Sequence, residues 1–249
     1  MLNYTITHEP LKREDEEHLP ASMDDELEDF FYRIKKGKAS VKKKLEKLIK
    51  RFPNVPVLLN HLVIWYNANG DTENARRINE DAYKKFPNYL FAITNKVSFD
   101  IEDGDLEEIK KLLGDEPFDI SNLYPNRNIF HFTEYQAYSS AAIQYLAAAN
   151  RTEEAWSYLE NLYTDNVTKD FFNAMRSLIG RYELKFADER WQAAQEKEKL
   201  KSANERQEPT IMQADEALAP KNLRYAYLYA PGLWEIDFEQ LEKDIGGPG

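Results

Sequence analysis

Cysteine is absent from this chain of 249 residues. The absence excludes disulfide bonds, thiolate metal sites and thiol nucleophiles. Histidine is scarce as well, with four residues in the whole chain, and no two of them have the spacing of an HExxH metal site. The chain also lacks the GxSxG, GxGxxG and phosphate-binding loop motifs. The sequence therefore predicts that the protein is not an enzyme and that it needs no metal or other cofactor.

Long apolar runs are missing too. No run of about 18 apolar residues, the length that crosses a bilayer as a helix, occurs in the sequence. The opening MLNYTITHEPLKREDEE contains no apolar stretch of the kind found in secretory signals. We therefore expect a cytoplasmic protein that has no membrane partner.

Positive charge is in deficit, because the chain has 33 Lys and Arg but 44 Asp and Glu, which gives a net charge of -11. This charge disfavours long-range attraction to phosphate backbones, so we expect no nucleic-acid partner. The stretch 35–51 is rich in lysine, so an acidic partner or a nucleic acid could still bind to that part of the chain. We favour a solvated face there, because runs of like charge usually face solvent and the nearby stretch 14–29 is acidic.

A phrase in the sequence occurs twice. KRFPNVP at 50–56 and KKFPNYL at 84–90 set their prolines 34 residues apart, and Gly70 and Gly104 have the same spacing. Between these marks apolar residues recur every three or four positions, which is the pattern of amphipathic helices. Glycine suits a reversal between two antiparallel helices because it accepts positive φ, and proline ends a helix because it cannot continue one.

This pattern predicts four pairs of antiparallel helices. Their predicted bounds are 23–36 with 39–51, 56–69 with 72–86, 90–102 with 105–114, and 132–149 with 152–164. In the fourth pair Asn150 stands where the second and third have glycine, and asparagine is the other residue that tolerates the left-handed conformation. In the second pair we expect Tyr66 and Ala75 to be buried where the two helices touch.

The stretch LLNHLVIWYNANGDTENARRINEDAYKKFP, at 58–87, resembles a tetratricopeptide repeat. The positions that match the family pattern are Leu59, Leu62, Tyr66, Gly70, Ala75, Ala82 and Pro87. Val63 stands where the family has a small glycine, and Asn79 where it has an aromatic residue. The resemblance covers 22–165 and is strongest over 50–110. It implies an all-α fold, a right-handed superhelical solenoid of helix pairs whose concave face is lined by the first helix of each pair.

Composition divides the chain into four parts. Residues 1–21 form an acidic segment that is too polar to order itself and is predicted to be disordered. Residues 22–165 hold the repeats, with an insertion near 115–131. Residues 166–206 form one long helix that caps the array. Its polar second half projects into solvent or meets another chain. Residues 207–249 form a C-terminal strap that contains proline and many aromatic residues.

The strap contains RYAYLYAPGLWEIDF, whose aromatic residues would favour aggregation if they were exposed. We expect the last helices of the same chain to cover it. Two alternatives stay open. The strap could lie in the protein's own groove, or it could pack on a second subunit and form a homodimer through the C-terminal region.

The repeat register also predicts the side chains on the concave face. From the first three pairs they are Phe30, Arg33, Asn60, His61, Ile64, Asn67, Phe91, Thr94, Asn95 and Ser98, and from the fourth pair Ser140 and Gln144. A mixture of amides and apolar residues suits hydrogen bonds to an extended backbone, or cover for a helix. The function implied is a noncatalytic scaffold or adaptor that binds a protein or peptide.

Three other interpretations stay open. The protein could be a chaperone or regulator that masks a protein partner, as small acidic members of this family can be. The groove could be unused or could hold the protein's own tail. In a different class, side chains distant in sequence could converge into an active site that the sequence does not reveal.

Overall fold

The computed structural model describes residues 3–11, 19–20, 23, 33–34, 39–162 and 167–205. Of these residues 73% are helical, and two strands of three residues each are the other regular elements. The prediction of a mainly helical protein is confirmed at this level. None of the helices in these ranges combines the length and the apolar character that a membrane span needs.

The described elements follow one another closely along the chain. In order they are β1 (Thr5–Thr7), α1 (Ala39–Arg51), α2 (Pro56–Ala68), α3 (Thr72–Lys85), α4 (Leu90–Asp103), α5 (Leu106–Leu113), α6 (Ile120–Leu123), β2 (Ile129–His131), α7 (Phe132–Ala148), α8 (Thr152–Glu160) and α9 (Lys169–Glu205).

Most of the predicted helix bounds agree with these elements. The bounds of α1 to α5 and of α7 lie within one residue of the prediction, whereas α8 ends at Glu160, four residues before its predicted end. The long helix predicted at 166–206 is α9. The predicted helix at 23–36 lies mostly outside the described residues, although 33–34 are helical, and the strap at 207–249 lies outside them altogether.

Three helix ends share one turn geometry. Gly70, Gly104 and Asn150 have φ angles of 74°, 78° and 59°, in the left-handed region. The residues that follow them are Asp71, Asp105 and Arg151. Each donates its backbone N–H to the carbonyl five residues earlier, over 3.0, 2.9 and 2.8 Å respectively. This six-residue bond is the Schellman arrangement that closes a helix end. The prediction that Asn150 replaces glycine at the third turn is confirmed.

The described residues divide into two compact units, which fall within 1–145 with 162–167 and within 146–161 with 168–205. In the first unit α2, α3, α4 and α5 each pack against the helix that precedes them. Tyr66 of α2 and Ala75 of α3 belong to one buried cluster, with 5% and 0% of their surface exposed, so their predicted burial is confirmed. Buried Tyr138 of α7 donates its hydroxyl to the carbonyl of Leu113, at 2.7 Å, next to the end of α5.

Strand β1 pairs in parallel with β2, so Thr5–Thr7 lies against Ile129–His131. The ring of Tyr4 meets buried Phe130 edge to face at 5.1 Å, and its hydroxyl donates to Asp119 Oδ2 at 3.2 Å. The structure differs here from the prediction of a disordered segment at 1–21. Pairing with a partner strand satisfies backbone groups that the segment could not satisfy alone, and it covers an aromatic side chain.

In the second unit α8 packs against α9. Trp156 of α8 is buried, and its Nε1 donates to Oε1 of Glu183 on α9 at 2.8 Å. Burial raises the pKa of the Glu183 carboxyl above its ordinary value, and the bond from Trp156 acts in the opposite direction. Further along α9, Trp191 leaves 49% of its surface exposed.

Candidate functional site

A groove of about 460 Å³ lies in the first unit, and three helices line it. The lining residues are Val57, Asn60, His61 and Ile64 from α2, Phe91, Thr94, Asn95 and Ser98 from α4 with Tyr89 just before it, and Thr133, Ala137, Ser140 and Gln144 from α7. On each helix these residues recur every three or four positions. They therefore form one face of each helix. We call this site the groove.

Ser140 and Gln144, predicted from the fourth helix pair, line the groove, and so do seven of the ten residues predicted from the first three pairs. The seven are Asn60, His61, Ile64, Phe91, Thr94, Asn95 and Ser98. Asn67 and Arg33 are exposed and do not line it, and Phe30 lies outside the described residues. The structure thus brings most of the predicted set together, and their role in binding stays a prediction.

Four lining residues were not predicted from the sequence. Val57 precedes Asn60 by one helical turn, and on α7 Ala137 and Thr133 precede Ser140 by one and two turns. Extending the predicted face of α2 by one turn and that of α7 by two turns toward their N-termini would have found them. Tyr89 gave no such signal because it lies outside the helix, at the position just before α4.

The groove combines apolar and polar side chains and carries no formal charge in its lining. No Asp, Glu, Lys or Arg is among the thirteen described side chains that form it. Its polar groups are amides, hydroxyls and one imidazole, and its apolar groups include Val57, Ile64, Phe91 and Ala137. Such a surface can exchange hydrogen bonds and bury apolar atoms, but it has no cation or anion with which to pair a charged ligand.

Two amides face each other across α2 and α4. Asn95 Nδ2 donates to Asn60 Oδ1 at 3.0 Å. A side-chain amide has an NH2 group with two donor hydrogens and an oxygen with two acceptor positions. In the described part of the chain no bond is formed by Asn60 Nδ2 or by Asn95 Oδ1. The pair therefore keeps one amide nitrogen and one amide oxygen available, which matches the carbonyl and the N–H of a peptide unit.

A second polar chain joins α4 to α7. Ser98 Oγ lies 3.3 Å from the Thr94 carbonyl and 3.2 Å from Gln144 Oε1, and both oxygens are acceptors for its hydroxyl. Gln144 Nε2 then donates to Ser140 Oγ at 3.0 Å. These bonds fix the orientation of the Gln144 amide, since its oxygen accepts on one side and its nitrogen donates on the other.

His61 lines the groove and is buried, with 8% of its surface exposed. Burial lowers the pKa of its imidazole to about 4, so the ring is neutral at pH 7. Its Nδ1 lies 3.0 Å from the Val57 carbonyl. A carbonyl can only accept, so Nδ1 carries the proton and Nε2 is an acceptor.

His61 Nε2 has no hydrogen-bond partner among the residues that the structure describes. Polar side-chain atoms there that are fully buried and unpaired are Asn79 Oδ1, Asp100 Oδ2 and Ser139 Oγ. His61 Nε2 is not one of them, so it keeps some accessible surface. The groove therefore offers an unused acceptor beside the Asn60–Asn95 pair.

A smaller cavity of about 310 Å³ adjoins the groove and shares Phe91 and Thr133 with it. Pro10 and Leu11, which follow β1, form part of its wall together with Glu134. The Glu134 carboxylate accepts from Arg127 Nη2 at 2.8 Å and from the backbone N–H of His131 at 3.1 Å. That carboxylate is thus already paired.

In the described ranges no cluster of three or more His, Asp or Glu side chains comes together as metal ligands would. Of the histidines, His8 stacks on Phe132 at 4.5 Å and His131 Nδ1 lies 2.7 Å from Thr133 Oγ1. A histidine with a pKa near 4, as His61 has, is a weak base at neutral pH. The His61 imidazole is therefore poorly suited to accept a proton at neutral pH.

Comparison of the chain with protein-family models, with curated proteins and with solved structures gives no match in any of the three cases.

Proposed function

We propose that the protein is a noncatalytic scaffold that binds a protein or peptide partner in the groove. The proposal includes the finer architecture that the resemblance implies, a tetratricopeptide-like solenoid of antiparallel helix pairs with the groove on its concave face. It also includes a cytoplasmic location, as expected from the sequence. Fold alone does not specify a function, so the proposal depends on the groove.

One observation carries the proposal. The repeat register alone selected side chains from α2 and α4 as partner-binding, and seven of them line one groove with the unsatisfied Asn60–Asn95 pair among them. Stacking of repeats brings equivalent helix faces together, and here the faces border an open space that a ligand can enter. Three helices that present hydrogen-bonding and apolar side chains to one space are typical of a recognition site.

The groove chemistry supports an extended segment as the ligand. A strand-like backbone exposes N–H and C=O groups along its length, and the free nitrogen of Asn60 and the free oxygen of Asn95 can bond one of each. Ile64, Phe91 and Ala137 can receive apolar side chains beside it. Each amide bond is expected to contribute about 1 kcal/mol to binding.

Affinity capture with a groove variant tests the proposal. Wild-type protein, the double variant Asn60→Ala/Asn95→Ala and the control Asn67→Ala are immobilised and exposed to native lysate, and bound proteins are quantified by mass spectrometry. Asn67 is a matched control, because it is an exposed asparagine on the same helix that does not line the groove.

We expect at least one protein to bind the wild type and the control equally and to be depleted about 30-fold on the double variant, which loses two hydrogen bonds of about 1 kcal/mol each. The partner is then produced and its dissociation constant measured. Equal binding by all three forms would place the binding surface elsewhere.

A further inference from the structure

The groove can make three kinds of contact with a bound segment. The Asn60–Asn95 pair offers a donor and an acceptor to a backbone, the apolar residues offer surface, and His61 offers a single acceptor. No charged side chain is present among the thirteen described lining residues. These contacts restrict which segments of a partner can enter.

We propose that the groove selects extended peptide segments whose side chains are uncharged and which place a hydrogen-bond donor, a hydroxyl or an indole N–H, on Nε2 of His61. This inference rests on the proposed function and names the class of ligand for the same groove. The repeat register placed His61 on the concave face with the other lining residues, and the structure assigns it the further role of a specificity-determining residue.

Exclusion of charge follows from the lining. An ion that enters a partly enclosed site loses hydration, and it recovers the loss only if an opposite charge pairs with it. Two charged side chains next to the groove in the described part of the chain are already paired. Glu134, in the wall of the adjoining cavity, is held by Arg127, and Lys96, next to Asn95 on α4, is held by Asp100 at 2.9 Å and Glu80 at 3.4 Å. A Lys, Arg, Asp or Glu in the bound segment should therefore weaken binding by about 100-fold.

Selection of a donor follows from the tautomer of His61. The Val57 carbonyl holds the ring proton on Nδ1, so Nε2 can only accept. Burial keeps the imidazole uncharged at neutral pH, because the pKa is lowered to about 4. An acceptor covered by an apolar ligand group would lose its contact with water without compensation. A ligand hydroxyl or indole N–H satisfies it.

The position of His61 places this donor next to the ligand backbone. Asn60 and His61 are neighbours in α2, so their Cα atoms lie about 3.8 Å apart. A peptide that pairs its backbone with the Asn60–Asn95 amides therefore carries a side chain within reach of Nε2. The backbone contacts give affinity for any extended segment, and the histidine distinguishes one side chain from another.

A random dodecapeptide library displayed on phage serves as the probe. It is selected in parallel on the full-length wild type, on Asn60→Ala/Asn95→Ala, and on two variants that remove the acceptor, His61→Phe and His61→Leu. His61→Gln, which retains an acceptor oxygen, is the rescue variant. Circular dichroism and the melting temperature confirm that each form is folded, and having two acceptor-free variants guards against one that is not.

We expect peptides enriched on the wild type over the double amide variant to be poor in Asp, Glu, Lys and Arg and rich in Tyr, Trp, Ser and Thr. The best synthetic peptide should lose about tenfold in affinity when its donor side chain is replaced by an isosteric apolar one. That tenfold difference should vanish on His61→Phe and His61→Leu and return on His61→Gln.

Two results would overturn this inference and leave the proposed function standing. One is groove-dependent enrichment of charged peptides, and the other is a donor effect that persists at full size in both acceptor-free variants. Enrichment that is equal on the wild type and on the double amide variant would instead contradict the proposed function itself, and this inference with it.

Discussion

Asn95 donates a 3.0 Å hydrogen bond to Asn60 and so joins two side chains 35 residues apart, close to the repeat length of 34. The two residues lie on α2 and α4, which were predicted as the first helices of consecutive pairs. A repeating chain brings equivalent faces together in this way when its units stack. The pair is thus a sign of the repeat, and its part in recognition is what we propose.

The register of the second helix pair is tested at Ala75, which is fully buried in the cluster that holds Tyr66. Ala75→Arg forces a charge without a counterion into a tight helix contact and should lower the free energy of unfolding by more than about 3 kcal/mol. Glu73→Arg, an exposed change two residues earlier in α3, should cost about 1 kcal/mol at most. Urea denaturation checks both values. Equal stability of the two variants would refute this packing.

The Arg127–Glu134 ion pair should stabilise the segment between α6 and α7. Glu134 is 4% exposed and Arg127 Nη2 lies 2.8 Å from its Oε2. Arg127→Met leaves a buried carboxylate with fewer partners, so the free energy of unfolding should fall by about 3 kcal/mol. Adding Glu134→Gln to Arg127→Met removes the buried charge and should recover part of that loss. A double variant less stable than Arg127→Met, measured by chemical denaturation, would contradict this assignment.

Strand β1 should contribute to stability through its pairing with β2. Thr5 donates its N–H to the Asn128 carbonyl at 2.8 Å, and proline has no N–H. Thr5→Pro should therefore lower the melting temperature and increase the binding of a hydrophobic dye, because Phe130 loses cover. Asn3→Pro, an exposed change before the strand, is the control. If both variants behave as the wild type does, the β1–β2 pairing does not persist in solution.

His61 makes stability depend on pH. Its pKa is about 4 in the folded protein against the ordinary 6.5, so the unfolded chain takes up the proton first as the pH falls. The contribution of His61 to the free energy of unfolding is fully present above pH 6.5. It falls by about 3 kcal/mol between pH 6.5 and 4 and stays constant at lower pH. Urea denaturation at pH 7, 5.5 and 4 should show that His61→Gln loses less stability over this range. Parallel curves for the two proteins would contradict the burial of His61.

The sequence predicted the helices well because their signals are local. Apolar spacing fixes the helix interior, and Gly70, Gly104 and Asn150 mark the reversals through their own backbone preferences. The groove residues of α2 and α4 could be predicted for the same reason, since a repeat register assigns one face of each helix.

The remaining features depend on contacts that are distant in sequence. The pairing of Thr5–Thr7 with Ile129–His131 joins two three-residue strands, and a strand so short carries almost no periodic signal. The β-branched run Thr5-Ile6-Thr7 was the one available hint. The unprotonated Nε2 of His61 depends on burial and on the Val57 carbonyl, neither of which a residue type reveals.

Site-specific photo-crosslinking tests the groove most directly. A benzoyl-phenylalanine is introduced at Phe91, which lines the groove, and separately at Asp81, which is exposed on α3 and does not line it. Both proteins are irradiated in native lysate and analysed by immunoblot and mass spectrometry. We predict one crosslinked partner from position 91, reduced when Asn60→Ala/Asn95→Ala is added, and none from position 81. The same partner from position 81, with none from position 91, would contradict a binding site in the groove.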